Sequence, residues 1–210
     1  MYNIPVEKKG GRKLRKIETR RYILRIPNVE DAEEIYEKWG TDKEKMAQYK
    51  EHKLYRNVIE AKALIAAAIR EKEDGVIYWI IEEKNTKEIV GYVKLLAGVI
   101  KDKRREMAFY FLEGWRDNGT PEEVLNAVID YVFTEEEYEI IITKFYARNE
   151  QDTKVVQDIL TKVGMTREGI LRNRLINDEG KKIDKYIYSI LKEQWESNGK
   201  TEENNNICVC

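Results

Sequence analysis

The 210-residue chain sets 38 Lys and Arg against 39 Asp and Glu, a formal net charge of -1, with 42% hydrophobic and 37% charged residues. That length holds one domain with a substantial core, and the balanced charge excludes a whole-chain pull toward nucleic acid or membrane. The only histidine, His52, excludes a histidine metal cluster and a Ser/His/Asp triad is not expected, while Cys208 and Cys210 sit too close together to staple a fold.

No metal site is therefore expected. No apolar run approaches the roughly 18 residues of a membrane span, and the N-terminus lacks the apolar core of a signal peptide, so a cytoplasmic protein without membrane contact is expected.

Residues 1–16 carry Lys8, Lys9, Arg12, Lys13, Arg15 and Lys16 around Gly10 and Gly11. This reads as a basic flexible arm, a candidate for weak RNA or ribosome contact and otherwise a solvated tail. Tyr22 to Ile26 forms a short strand ended by Pro27. Asn28 then caps a helix whose Ala32, Ile35, Tyr36 and Trp39 share a face and which Gly40 stops. Further helical regions run from Asp42 to about Tyr49 and from about Arg56 to Glu73, the latter with Val58, Ala61, Ile65 and Ile69 inward. Val76 to Glu82 and Glu88 to Val99 flank the polar Glu83 to Lys87 as a hairpin.

The stretch from Arg105 to Glu135 organises the rest. Met107 to Leu112 is an apolar and aromatic run of buried-strand length. Trp115 to Gly119 is turn chemistry, with Asn118 and Gly119 able to take positive φ. Thr120 is a candidate N-cap, Pro121 suits the first helical position, and Glu123 would complete a capping box. Val124, Ala127, Val128, Tyr131 and Val132 recur on one face of that helix. A strand feeding a tight turn into a helix directs backbone N–H groups and the helix dipole at one spot, which suits a phosphate, although many such units bind nothing.

Tyr138 to Arg148 is a further strand. A helix from about Asn149 to Val163 buries Val155, Val156, Ile159 and Leu160 and stops at Gly164. Gly169 to Arg172 and Ile183 to Leu191 make a last hairpin, and residues 196–210 form a disordered polar tail with exposed thiols. The order predicts an α/β (mixed α+β) domain over residues 17–195, with a mixed central sheet of about seven strands and helices on both faces.

Several segments together resemble the GNAT N-acetyltransferases, in the branch that includes the ribosomal-protein alanine acetyltransferases. They are Glu18 to Arg25 followed by Glu30-Asp31-Ala32, Glu88-Ile89-Val90-Gly91-Tyr92, Gly164 to Gly169 with Leu171-Arg172-Asn173, and Asp184 through Tyr188 to Trp195. The resemblance covers about Ile17 to Trp195. It implies the GNAT acyl-CoA N-acyltransferase fold and acetyl transfer from acetyl-CoA, as co-substrate, to a primary amine, either a protein N-terminus or a small molecule. It implies that the pantetheine arm lies between two splayed strands, touching Phe111 and the backbone of Leu112. The pyrophosphate would rest on Arg116, Asp117, Asn118, Gly119 and Thr120. Aligned back from Gly164, Thr153 and Val156 stand where the family has an asparagine and a serine, with Asn149 as the alternative asparagine.

The same resemblance makes Glu106 the candidate base that takes the amine's proton, or alternatively the partner of Arg104 or Arg105 in a surface ion pair. Glu168, Asp184 and Tyr146 are weaker candidates. Tyr186 and Tyr188 either line an amine pocket or, as alternating strand aromatics usually do, fill the core. A second reading is a GNAT-fold binding or regulatory module without catalysis, because the turn keeps one glycine and the family's asparagine and serine are missing. A monomer or homodimer is expected.

Overall fold

The structure, a computed structural model, describes residues 16–40, 56–70, 75–177 and 179–197, and the backbone of 208–209. The basic arm before Lys16, the helical region from Asp42 to Tyr49 and most of the polar tail lie outside the described residues.

Among the described residues nine strands form one sheet: β1 (Ile17–Glu18), β2 (Tyr22–Arg25), β3 (Ile77–Glu83), β4 (Ile89–Leu95), β5 (Arg104–Phe111), β6 (Ile140–Tyr146), β7 (Thr166–Ile176), β8 (Lys182–Leu191) and β9 (Cys208–Val209). Their spatial order is β7-β8-β6-β5-β4-β3-β2-β1-β9. Among these described strands β5 and β6 pair parallel and the other pairs are antiparallel. The helices are α1 (Ala32–Ile35), α2 (Val58–Arg70), α3 (Thr120–Thr134), α4 (Glu150–Lys162) and α5 (Lys192–Ser197). No helix of the described residues is long and apolar enough to cross a membrane.

Helices cover both faces, as the element order predicts. On one face α3 and α4 pack on Trp79, Val93, Met107, Phe109, Phe111, Ile141 and Phe145. Helix α3 buries most of its circumference, from Val124 through Phe133, and Trp79 meets Tyr131 edge-on with ring centroids 5.3 Å apart. On the other face α1 and α2 cover Ile80, Ile89, Tyr92 and Tyr110 with Ala32, Ile35, Trp39, Ala61 and Ile65. This division follows from strand alternation, which sends odd residues of β5 to one layer and even residues to the other.

Sequence and structure differ where the helix after Pro27 is concerned. Asn28 does cap, its side chain accepting from the Asp31 N–H at 3.0 Å, but it caps a 3-10 turn over Val29–Asp31. The chain then passes through α1 into a π turn over Tyr36–Gly40. Tertiary contacts dictate this winding: Arg25 grips both Asp31 oxygens at 2.8 and 2.9 Å, and the Glu34 carboxylate accepts the Ile89 N–H at 2.8 Å.

β5 is anchored at its start by Arg105, which is only 4% exposed. Its guanidinium donates to the Gly75 carbonyl at 2.9 Å, lies 3.4 Å from Glu136 and covers the Tyr138 ring. On the neighbouring strand, Gly91 faces Phe111, and a Cβ built there would overlap the Tyr110 carbonyl oxygen. Glycine therefore sets how closely β4 approaches β5. Gly91→Ala is expected to destabilise the protein by about 2–3 kcal/mol, read from the urea midpoint at unchanged m-value. A variant as stable as wild type would show that β4 tolerates a wider spacing.

Candidate active site

β5 and β6 run parallel for three pairs only, Arg104–Ile140, Arg105–Ile141 and Glu106–Ile142. Both strands continue, to Phe111 and Tyr146, but without pairing to each other. β5 stays paired to β4 through Gly91–Phe111, and the Leu112 N–H extends that side by donating to the Val90 carbonyl at 2.9 Å. Alternate residues of a strand direct their backbone groups to opposite neighbours. Glu106, whose carbonyl accepts the Leu96 N–H at 2.9 Å, and Leu112 therefore serve β4. Phe109 and Phe111 turn their N–H and C=O groups toward the diverging strand. The backbone of Leu112, an expected contact, donates to β4 and accepts the Trp115 N–H. An extended ligand with amide groups can pair with the edge at Phe109 and Phe111 as an added strand would.

The narrow cleft beside this edge is lined by Phe109, Tyr110, Phe111, Arg116 and the α4 residues Val155, Val156 and Ile159. Arg116 folds back over its end. Its Nε donates to the Phe111 carbonyl at 3.0 Å, its Nη1 donates to Asp152 at 2.9 Å, and its guanidinium lies over Tyr110. Asp152 stands in the first turn of α4, where Asn149 is the N-cap and accepts the Asp152 N–H at 2.7 Å. Asn149 also donates from Nδ2 to Asp152 at 2.8 Å, while Thr153 donates its hydroxyl to the Asn149 carbonyl at 2.5 Å. These two expected cofactor contacts are thus engaged in ordering the start of α4, and Asp152, which no sequence pattern singled out, joins that helix to the turn.

The turn leading into α3 is built differently from a capping box. Gly119 precedes the helix at φ 78°, a left-handed conformation that glycine takes without strain. Thr120 is the first helical residue and fully buried, its hydroxyl donating to the Asn118 side chain and accepting from the Tyr22 hydroxyl at 2.6 Å. The Asn118 side chain also accepts the Thr120 N–H at 3.1 Å. Thr120 as N-cap is therefore corrected, because its hydroxyl is turned into the core and Gly119 stands at the N-cap, with no side chain to cap with.

Glu123 is also not a capping-box residue. It reaches across to the β1–β2 turn, where one oxygen accepts the Thr19 hydroxyl at 2.6 Å and the Arg21 N–H at 2.7 Å, and the other accepts Arg21 Nε at 2.7 Å. Burial would raise the proton affinity of this carboxyl, but the bonds from Thr19 and Arg21 together outweigh it and hold the group below its ordinary value. Arg21 also donates to the Asn118 carbonyl at 3.2 Å, placing its guanidinium on the turn. The negative charge that Glu123 brings to the helix start is thereby matched, and Glu122 is matched likewise by Lys162 at 3.0 Å. Asp117 stays exposed.

Glu106 stands at the last paired position of β5, where the strands part. It forms an ion pair with Lys144 of β6, rather than with Arg104, which meets Asp102, or Arg105, which meets Glu136. Of the weaker candidates, Glu168 accepts from the Ser189 hydroxyl, Asp184 accepts the Asn173 N–H at 2.9 Å, and Tyr146 lies under Lys185. Tyr188 is buried and Tyr186 stacks on Phe145 at 5.3 Å, so both belong to the core layer.

Comparison with known proteins agrees with this geometry. The family model described as an acetyltransferase (GNAT) domain matches residues 21–166. The uncharacterized N-acetyltransferase YoaA of Bacillus subtilis (strain 168) is 31% identical over 179 residues, covering 84% of this chain and 96% of that protein. Among solved structures, ribosomal-protein-S5-alanine acetyltransferase from Vibrio fischeri superposes with TM-score 0.69 at 19% identity, covering 86% of this chain and 98% of that one. Spermidine N-acetyltransferase from Vibrio cholerae, in complex with CoA and spermine, gives TM-score 0.69 at 19% identity, covering 84% of this chain and 98% of that one. At such identities the two structures establish the shared fold.

The Glu123 cluster yields a pH test. A carboxyl whose value is depressed on folding stabilises the protein above its ordinary value, 4.5, and loses that contribution as pH falls through the depressed value. Glu123→Gln is expected to cost about 1–3 kcal/mol at pH 7, and the gap to wild type should narrow below the ordinary value. Parallel denaturation curves across that range check this; a gap independent of pH would contradict the ionised cluster.

Proposed function

Since the chain belongs to the GNAT acetyltransferase family, we propose that it transfers the acetyl group of acetyl-CoA to a primary amine, with the cleft between β5 and β6 as the place of reaction. The observation that carries this reading is the parting of the two strands after three pairs, which leaves the Phe109 and Phe111 edge facing a cleft with Arg116 at its mouth.

The cofactor supplies an acetyl thioester. The edge of β5 at Phe109 and Phe111 faces away from β4, on the side where a pantetheine arm, itself carrying two amides, would lie as an added strand. The turn from Arg116 to Thr120, followed by the start of α3, offers a cation and the positive end of a helix dipole to the pyrophosphate. Arg21 neutralises Glu123 there, so the single-glycine turn is compatible with an anion. That favours the transferase over a module that binds no cofactor.

Attack on the thioester requires the acceptor amine in its neutral form. We assign the proton to the Glu106 carboxylate. With that first proton on Glu106, the amine nitrogen bonds to the acetyl carbon, the carbon–sulfur bond breaks, and the second nitrogen proton passes to the departing sulfur, which leaves as the CoA thiol. Backbone N–H groups on the open edge stabilise the oxyanion that develops on the carbonyl. Lys144 holds Glu106 at the parting of the strands before the amine arrives. The acceptor is a protein N-terminus or a small-molecule amine; the two solved structures above carry names of each kind.

Release of CoA thiol in the presence of acetyl-CoA and a panel of amines and N-terminal peptides tests the activity. Glu106→Gln should lower kcat about 100-fold and leave the affinity for CoA unchanged. Unchanged kcat and KM in that variant would remove Glu106 from the mechanism.

A further inference from the structure

Where β5 and β6 part, one side chain occupies the carbonyl that the next ladder bond would use. The Ile140 N–H donates to the Lys103 carbonyl at 3.1 Å, and the register repeats this with the Ile142 N–H on the Arg105 carbonyl. The next member of the series would be the Lys144 N–H on the Met107 carbonyl. That carbonyl instead accepts the Thr143 hydroxyl at 3.1 Å, and no further β5–β6 pair follows among the described residues. Side-chain hydroxyls compete in this way with ladder N–H groups. Thr143 is 1% exposed, so its hydroxyl is shielded from solvent and Met107 is its partner. Branching at Cβ restricts its χ1 and fixes the hydroxyl's direction.

The opposite edge of β6 shows no such interruption. Its ladder with β8 runs from Ile140–Leu191 to Tyr146–Lys185 without a shift. β6 therefore follows β8, β5 follows β4, and the divergence of the two half-sheets is taken up at one place. The Lys144–Glu106 ion pair spans the same place on the other face, so two consecutive side chains of β6 reach β5 where the backbone ladder ends.

We propose that Thr143 is the positioning residue that holds the cleft open, its hydroxyl satisfying the Met107 carbonyl so that the ladder does not zip onward over the Phe109 and Phe111 edge. The role assigned to the cleft rests on the acetyl-CoA reading above. Thr143→Val keeps the shape and removes the donor, allowing the Lys144 N–H to take the Met107 carbonyl.

The test pairs two readouts on wild type, Thr143→Val and Thr143→Ser: hydrogen exchange of the Lys144 amide, and calorimetric titration with CoA. In the valine variant the Lys144 amide should exchange about tenfold more slowly and CoA should bind about tenfold more weakly, with serine restoring both. Should the valine variant not fold, Thr143→Ala removes the same donor and answers the same question. Unchanged exchange at Lys144 would overturn the wedge, and slowed exchange with unchanged CoA affinity would overturn its role in cofactor binding. If wild type itself ignores CoA, the transferase reading fails, while the exchange comparison still decides whether Thr143 ends the ladder.

Discussion

A strand in the middle of a sheet carries hydrogen-bonding groups on both edges, and beyond Glu106 β5 has a partner strand on only one. Buried backbone groups are seldom left unpaired, so the far half of β5 must be served by something else. Side chains do part of this, Thr143 at the Met107 carbonyl and Arg116 at the Phe111 carbonyl. The edge between them is what an extended amide-bearing ligand can complete. The aromatic side chains of Tyr110, Phe109 and Phe111 bury on both faces of the strand, so apolar packing holds it in place where β6 no longer pairs with it.

The turn at the end of the same strand shows how charge can be managed with little glycine. Acidic residues near a helix start are favourable to the helix but oppose an anionic ligand. Here the β1–β2 turn folds onto α3 and supplies Arg21, which takes Glu123 through two bonds while donating to the Asn118 carbonyl. The same contact buries the Tyr22 hydroxyl against Thr120. One cluster thus orients the turn, neutralises the helix start and attaches the sheet's early strands to α3. Arg116 does the corresponding work on the side of α4 through Asp152.

Most of the architecture was legible because it rests on local patterns. The α3 face, the Asn149 and Gly164 ends of α4 and the apolar run of β5 are periodicity and turn chemistry, and they appear as expected. What was not legible depends on partners far apart in sequence. Thr120 followed by Glu123 has the spacing of a capping box, yet Tyr22 and Arg21, about a hundred residues earlier, claim both side chains. The two-residue strands β1 and β9 carry too little pattern to announce themselves and exist through pairing with each other and β2. Which residues of β5 face the cleft was equally hidden, because the register against β4 decides it and places Phe111 there in preference to Leu112. Glu106 became a candidate through family resemblance, whereas its ion-pair partner Lys144 required the β5–β6 pairing.

On the proposed function, a thioester cofactor lies along β5 at Phe109 and Phe111 as an added strand. Amide hydrogen exchange with and without CoA measures this at the atoms concerned. New protection is expected at the Phe109 and Phe111 amides and in the turn from Arg116 to Thr120, with little change at Tyr110, whose N–H already serves β4. Protection confined to other parts of the sheet, or none at saturating CoA, would contradict it.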